Sequence, residues 1–251
     1  MNKKKFNFII VIPARMKSSR LPGKPLIKIC GIHMIIRTYL QCLKVVKKNL
    51  IYIATDSVKI QNVCKNFGAQ SILTSGKCLT GTDRVAEVAK KINARLYINV
   101  QGDEPIFNPK DLKKLIKFSL KNPKEIVSGY CNINKDRMYN DLNVPKVVLD
   151  KKQYLLYATR AAVPSNKKGK FVSAQRQICA YSFPKETLRL FDKSKKKTSL
   201  ESIEDIEYLR FLENGIKIKC IEMSGTSLAV DNSYDLNLVS QIIKKNKGLY
   251  D

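Results

Sequence analysis

In the first half of the chain, short apolar runs alternate with longer segments whose apolar residues recur every three or four positions. The apolar runs predict strands at residues 6–12, 50–54, 71–74 and 96–100. The helical spacing predicts helices at residues 32–48, 59–67, 83–92 and 109–120. The last of these has Asn108 as its N-cap and Pro109 at its first position. Strands separated by helices of this length form parallel β-α-β units, so the pattern predicts a doubly wound, mostly parallel α/β sheet.

The second half is less regular and richer in predicted strands. Strands are predicted at residues 127–132, 146–149, 154–158, 178–183 and 217–222, and a closing helix at residues 234–244. Residues 199–213 have the pattern of one amphipathic helix, with Thr198 and Glu201 at capping-box spacing and Gly215 marking its end. Since no low-complexity linker or internal repeat interrupts the chain, we expect a single domain over residues 1–251.

A cationic loop, residues 12–26, follows the first predicted strand. It carries Arg15, Arg20 and Lys24 together with two serine hydroxyls between prolines and a glycine. Backbone N–H groups and cations that converge after a strand are a common way to hold phosphates. The loop has neither of the two commonest phosphate-binding motifs, G-x-x-x-x-G-K-[ST] and G-x-G-x-x-G. Asp56 and Asp103 also follow predicted strands, so we expect them at the same edge of the sheet as the loop.

The residue order of this loop, Arg-x-x-Ser-x-Arg-Leu-Pro-Gly-Lys-Pro-Leu, resembles the opening of the sugar nucleotidyltransferases. It is most similar to the CMP-Kdo synthetases, which activate 3-deoxy-manno-octulosonate (Kdo) with CTP. Further matches follow in the family's order: Ile53-Ala-Thr-Asp56, Thr80-Gly-Thr-Asp-Arg84, Asn99-Val-Gln-Gly-Asp-Glu-Pro105, Pro145-Lys-Val-Val148 and Thr159-Arg160. The resemblance implies a Rossmann-like nucleotidyltransferase fold with an inserted β-rich subregion. Residues 1–125 would mainly bind CTP, residues 126–231 would mainly bind sugar and form a homodimer, and residues 232–251 would form the closing helix.

The resemblance also implies the chemistry, in which a sugar hydroxyl attacks the α-phosphate of CTP and pyrophosphate leaves. This reaction needs in-line positioning and neutralised phosphate charge, and Mg²⁺ held by carboxylates is the common device. Asp103 and Asp231 match the family's Mg²⁺ ligands. From the residues alone, Asp103 could equally cap a turn. A helix cap is the alternative for Asp231. By the same resemblance the catalytic residues are Lys24, Arg15 and Asp103, and the CTP-binding residues are Ala14, Arg15, Lys24, Thr82, Arg84 and Gln101.

The candidate sugar-binding residues match the family less closely. Arg160, Tyr181 and Glu207 fall in place, whereas Lys167, Gln177 and Tyr208 stand where the family pattern has arginine, histidine and glutamine. Lysine keeps a point charge but loses the bidentate fork of arginine. We expect Kdo as the acceptor, and a related 2-keto-3-deoxy acid such as an amino-substituted Kdo is the alternative. A relative that binds CTP without catalysis is a further hypothesis.

Composition bounds the remaining possibilities. The net charge of +26 raises the hypothesis of nucleic-acid binding. However, the lysines form short scattered clusters without interleaved aromatic residues. This pattern favours a lysine-biased surface and no nucleic-acid partner. No apolar run is long enough to cross a bilayer, and the amino terminus has the pattern of a first strand. The seven cysteines lack metal-site spacing. We therefore expect a cytoplasmic enzyme with reduced thiols and no membrane partner.

Overall fold

The computed structural model describes residues 5–18, 20–193, 196–246 and 248–250, and Ser19 of the cationic loop lies outside these ranges. The described strands are β1 (Phe6–Ala14), β2 (Lys28–Ile29), β3 (Ile32–His33), β4 (Ile51–Thr55), β5 (Gln70–Leu73), β6 (Ala94–Val100), β7 (Ile126–Asn132), β8 (Lys146–Leu149), β9 (Leu155–Thr159), β10 (Gln175–Pro184) and β11 (Ile218–Glu222). The described α-helices are α1 (Met34–Leu43), α2 (Val58–Asn66), α3 (Gly81–Lys91), α4 (Pro109–Lys121), α5 (Asp136–Asn140), α6 (Arg189–Lys193), α7 (Ser199–Glu204), α8 (Leu209–Glu213) and α9 (Ser233–Lys245).

One nine-stranded sheet runs through both halves of the chain. Its main path has the order β11-β7-β10-β6-β1-β4-β5, and β8 joins it by pairing with β10 and with β9. The strands β6, β1, β4 and β5 are mutually parallel, as are β11 and β7, whereas β10 runs antiparallel to both of its neighbours on this path. This arrangement confirms the mostly parallel α/β sheet that the alternating pattern predicts.

The strand β1 shows why the sheet has a core on each face. Its side chains alternate, so Ile9 and Val11 pack with α3, while Ile10 and Ile12 pack with α1. All four are fully buried. A strand with helices on both sides needs apolar residues at every position, which explains its unbroken apolar run. The carboxyl ends of β1, β4 and β6 therefore emerge together between the two helical layers.

The single helix predicted at residues 199–213 is wrong. The chain turns at Asp205, which has a left-handed φ of 52°, and this turn separates α7 from α8. Arg160 provides the physical reason, because its guanidinium binds the carbonyl oxygens of Glu204 at 2.6 Å and Asp205 at 3.2 Å. These carbonyls have tertiary partners where a continuous helix would have given them local ones.

Several local predictions are confirmed. Glu201 accepts the backbone N–H of Thr198 at the start of α7, and Asn108 caps α4 by accepting the backbone N–H of Lys110. Gly215 is left-handed just after α8. The predicted helix at residues 32–48 is shorter than expected, because β2 and β3 form a small hairpin in front of α1. Neither this hairpin nor the short helices α5 and α6 were predicted. Across the described residues, no helix has both the length and the apolar character needed to span a bilayer.

Candidate active site

A cleft opens at the carboxyl ends of β1 and β6 and extends along β10. Most of the predicted site residues line it: Ala14, Arg15, Lys24, Arg84, Gln101, Asp103, Arg160, Gln177, Tyr181, Glu207 and Asp231. Three predicted residues lie elsewhere. Thr82 is buried in α3 beside the cleft, Tyr208 is buried with its ring edge-on to Tyr181, and Lys167 is exposed in the loop between β9 and β10.

Lys24 joins the two candidate metal ligands, although they lie 128 positions apart in the sequence. Its ammonium donates to Asp103 Oδ2 at 2.5 Å, to Asp231 Oδ1 at 3.2 Å and to the carbonyl oxygen of Val230 at 3.0 Å. Burial by itself would lower the pKa of Lys24, but the two carboxylates outweigh it and raise that pKa. Arg20 adds a second cation, 3.0 Å from Asp231 Oδ1.

The position of Asp103 depends on Gly102. A Cβ on this residue would lie 2.6 Å from the carbonyl oxygen of Pro13 and 3.0 Å from Ile35 Cδ1. Only glycine allows the ends of β1 and β6 to approach this closely. The backbone N–H of Val230 donates to the carbonyl oxygen of Asp103 at 2.9 Å. This hydrogen bond holds the next residue, Asp231, close to Asp103.

Asp231 does not serve as the helix cap that the sequence left open. Asn232 caps α9, accepting the N–H of Asp235 at 3.0 Å, and the Asp235 carboxylate bonds back to complete a capping box. The carboxylate of Asp231 instead meets Lys24 and Arg20.

The donor set suits Mg²⁺. Mg²⁺ takes one or two protein carboxylates and completes its coordination with water and substrate phosphates. The oxygens of Asp103 and Asp231 already converge on one cation, the Lys24 ammonium, so the two side chains are placed to share a positive charge.

The part of the cleft that holds the predicted CTP-binding residues Arg84 and Gln101 is built around the amino terminus of α3. Thr80 and Asp83 form a capping box there. Arg84 is 3% exposed and donates to Asp56 Oδ2 at 2.7 Å and to Thr74 Oγ1 at 2.7 Å. Asp56 also accepts the N–H of Met16 at 3.1 Å. The guanidinium of Arg84 therefore anchors the cationic loop as well as lining the cleft.

The part of the cleft that holds the predicted sugar-binding residues is formed by Arg160 and by β10. Arg160 donates to three carbonyl oxygens, those of Leu142, Glu204 and Asp205, and each terminal nitrogen keeps a second N–H. On β10, Gln177 Nε2 donates to the hydroxyl of Tyr181. Both of these side chains are almost fully buried, which gives the pair a defined position in the cleft wall.

Glu104 and Arg176 are among the cleft residues that sequence reasoning missed. Glu104 is 4% exposed, and burial, followed by the charge of Asp103, raises its pKa to about 8. Its place directly after Asp103 was the available signal. Arg176 lies on β10 and donates to the carbonyl oxygen of Gly225 at 3.0 Å. Nothing in the local sequence marks Arg176, because strand pairing alone brings it into the cleft.

A doubly wound sheet that gathers a cationic loop and two carboxylates at its strand ends defines a nucleotide-binding enzyme of the nucleotidyltransferase class. The sequence model of the cytidylyltransferase family matches residues 9–218. The 3-deoxy-manno-octulosonate cytidylyltransferase of Chloroherpeton thalassium is 38% identical over 249 residues, covering 94% of this chain and 98% of that protein. The Escherichia coli enzyme of the same name is 32% identical over 235 residues, with 94% and 95% covered.

A solved structure of CMP:2-keto-3-deoxy-manno-octonic acid synthetase in complex with CTP superposes with a TM-score of 0.88. It is 31% identical in sequence, and the match covers 95% of this chain and 99% of that one. The chain belongs to the CMP-Kdo synthetase family of sugar nucleotidyltransferases.

Proposed function

We propose that the protein transfers the cytidylyl group of CTP to the anomeric hydroxyl of Kdo, giving CMP-Kdo and pyrophosphate for the synthesis of lipopolysaccharide or another surface polysaccharide. The observation that carries this proposal is the contact of Lys24 with both Asp103 and Asp231, between a nucleotide side and a sugar side of one cleft. The names of the full-length relatives support the same substrates.

In this reaction the cationic loop binds the triphosphate. Arg15 and Lys24 neutralise charge on the α-phosphate and on the leaving pyrophosphate, and the backbone at Ala14 lines the same part of the cleft. Asp103 and Asp231 would hold Mg²⁺, which would supply further positive charge to the triphosphate. Lys24 then exchanges its carboxylate partners for phosphate oxygens, so the ammonium stays paired in both states.

The sugar side recognises an acidic acceptor. Arg160 is fixed by three backbone carbonyls and has N–H groups left to bind a carboxylate in a planar fork. Gln177 and Tyr181 offer hydrogen bonds to sugar hydroxyls, while Tyr208 shapes the wall by packing against Tyr181. Lys167 would have to approach from its exposed loop to contribute its charge.

We also propose that the protein is a cytoplasmic homodimer that associates through residues 126–231. Leu156 on β9 and Ile203 on α7 are 59% and 79% exposed, and both belong to this subregion. Burying such side chains against a second copy is favourable. Light scattering coupled to size-exclusion chromatography tests whether the protein is a dimer. If Leu156 lies in the interface, Leu156→Lys should shift the protein toward monomer.

Pyrophosphate release from CTP and Mg²⁺ tests the function, with Kdo, its 8-amino analogue, a nonulosonic acid and no sugar as parallel arms. We expect release with Kdo, abolished by Asp103→Asn and retained by Asp136→Asn, a matched change at an exposed residue outside the cleft. Release only with another acid would reassign the acceptor. Salt-sensitive binding of DNA or RNA that does not respond to Asp103→Asn, together with no release, would favour the nucleic-acid hypothesis.

A further inference from the structure

Glu207 is matched by resemblance to a sugar-binding position, but its contacts lie on the nucleotide side of the cleft. Its Oε1 accepts the side-chain amide of Gln101 at 2.9 Å, and its Oε2 accepts the backbone N–H of Thr82 at 2.8 Å. Thr82 lies in the first turn of α3, and Gln101 directly follows the end of β6. Glu207 therefore links the segment between α7 and α8 to the residues expected to contact CTP.

The turn at Asp205 is what brings Glu207 to this position. The left-handed turn ends α7, and the next residues cross the cleft wall before α8 begins. On this path Glu207 reaches the first turn of α3 and accepts the Thr82 N–H. That N–H is one of the donors that a helix leaves unpaired at its amino terminus.

The contact with Glu207 determines which way the amide of Gln101 points. Because Nε2 of Gln101 donates to the carboxylate, Oε1 is the end of this side chain that remains to accept a hydrogen bond. Gly81 supports the same amide from one side, since a Cβ there would lie 3.0 Å from Nε2 and 3.2 Å from Oε1. Gln101 and Gly81 both line the cleft.

We propose that Glu207 is a positioning residue for nucleotide recognition: it orients the amide of Gln101 so that Oε1 accepts an N–H or O–H donor of the CTP nucleoside. The donor is either a ribose hydroxyl or the exocyclic amine of cytosine. This inference rests on the proposed function only in taking CTP as the nucleotide. It assigns to nucleotide binding a residue that the resemblance assigns to the sugar.

The variant Glu207→Gln tests this arrangement sharply. The new side chain must turn its oxygen toward the Thr82 N–H, so it presents its amide nitrogen to Gln101. Gln101 then has to reverse its own amide, and the cleft receives a donor where it had an acceptor. The cytosine amine can only donate, so in that case CTP binding should weaken about 10- to 100-fold; a ribose hydroxyl can also accept, so in that case the loss should be smaller.

Calorimetric titrations identify the nucleotide donor whose hydrogen bond Gln101 accepts. They compare wild type and variant with CTP, 2′-deoxy-CTP, 3′-deoxy-CTP and UTP. If it is a ribose hydroxyl, the matching deoxynucleotide binds both proteins equally well. If it is the cytosine amine, the variant gains affinity for UTP relative to CTP. In steady-state assays we expect the KM for CTP to rise and the KM for Kdo to change less than twofold.

Two further variants separate positioning from general structural support. In a Gln101→Ala background, Glu207→Gln should cause no additional loss of CTP affinity, since the oriented amide is gone. Glu213→Gln is the matched control, because Glu213 also accepts backbone N–H groups, those of Leu200 and Glu201, but lies outside the cleft lining. It should leave the preference among nucleotides unchanged.

If Glu207→Gln left the CTP affinity unchanged and raised the KM for Kdo, the inference would be overturned. Glu207 would then be a sugar-binding residue, as the resemblance implies. An equal loss for all four nucleotides would show a merely structural role and would overturn it too. A wild-type protein that binds CTP but releases no pyrophosphate would refute the proposed function while the titrations still decide the role of Glu207.

Discussion

Gly102→Ala tests whether the approach of β1 and β6 places the candidate metal ligand. The added Cβ would lie 2.6 Å from the carbonyl oxygen of Pro13, where ordinary contacts begin at 3.4 Å. The strand ends must therefore separate by about 0.8 Å. The φ of Gly102 is outside the left-handed region, so alanine adds no backbone strain and the close contact alone is tested.

The expected effects follow from that displacement. Overpacking of this kind typically costs about 1–3 kcal/mol of stability. Asp103 is the next residue, and a misplacement of about 1 Å at a reacting centre can cost about 100-fold in rate. We expect Gly102→Ala to lower the free energy of unfolding by about 1–3 kcal/mol and turnover by about 10- to 100-fold.

Urea unfolding and pyrophosphate release measure the two effects. Gly76→Ala is the matched control, because a Cβ at Gly76 meets nothing within 4 Å and Gly76 also lacks a positive φ. If Gly102→Ala proved as stable and as active as Gly76→Ala, the close approach would not be what places Asp103, and the reasoning would be refuted.

Three other predictions follow from charged groups. Lys24→Met should lower turnover by about 100- to 1000-fold and strengthen Mg²⁺ binding without CTP, since a competing cation is removed; an unchanged calorimetric Mg²⁺ affinity would contradict this. Arg210→Met should destabilise the fold by about 3–5 kcal/mol in urea unfolding, because the fully buried Glu201, bonded to Arg210 at 2.6 and 2.7 Å, loses its bidentate partner. Burial alone would raise the pKa of Glu87, but the hydrogen bond from the Ser75 N–H and those from other donors outweigh burial and lower that pKa below 4.5. Its stabilisation is therefore present above pH 4.5 and is lost as pH falls through the lowered pKa. Thermal melts of Glu87→Gln should show a weaker acid dependence than wild type, and parallel curves would exclude the effect.

Much of the fold was predictable from local patterns. Strands β1, β4 and β6 and helices α2, α3 and α4 lie within a few residues of their expected bounds. These elements carry their own signals, an apolar run or a helical period closed by a cap such as Asn108. The cationic loop and Asp103 were predictable for a related reason. Parallel strands bring their carboxyl ends to one edge, so residues placed after them must converge.

The break at Asp205 was not predictable from local pattern. The apolar period runs through residues 199–213 without interruption, and no proline or glycine marks a stop. What ends α7 is a distant guanidinium, Arg160, bound to the carbonyl oxygens at the helix end. The same contact brings Glu207 to the amino terminus of α3 and to Gln101, so a sugar-binding role could be inferred by resemblance but these hydrogen-bond partners could not.

The amino-acid sequence by itself determined the order of elements, the two-faced sheet and the family, because these depend on periodicity and on motifs read within a few residues. The tertiary structure alone decided the partners of the charged groups. Lys24 meets Asp231 across 207 positions, and Glu207 meets Gln101 across 106. The distance between such residues is set by strand order and packing, which no local pattern encodes.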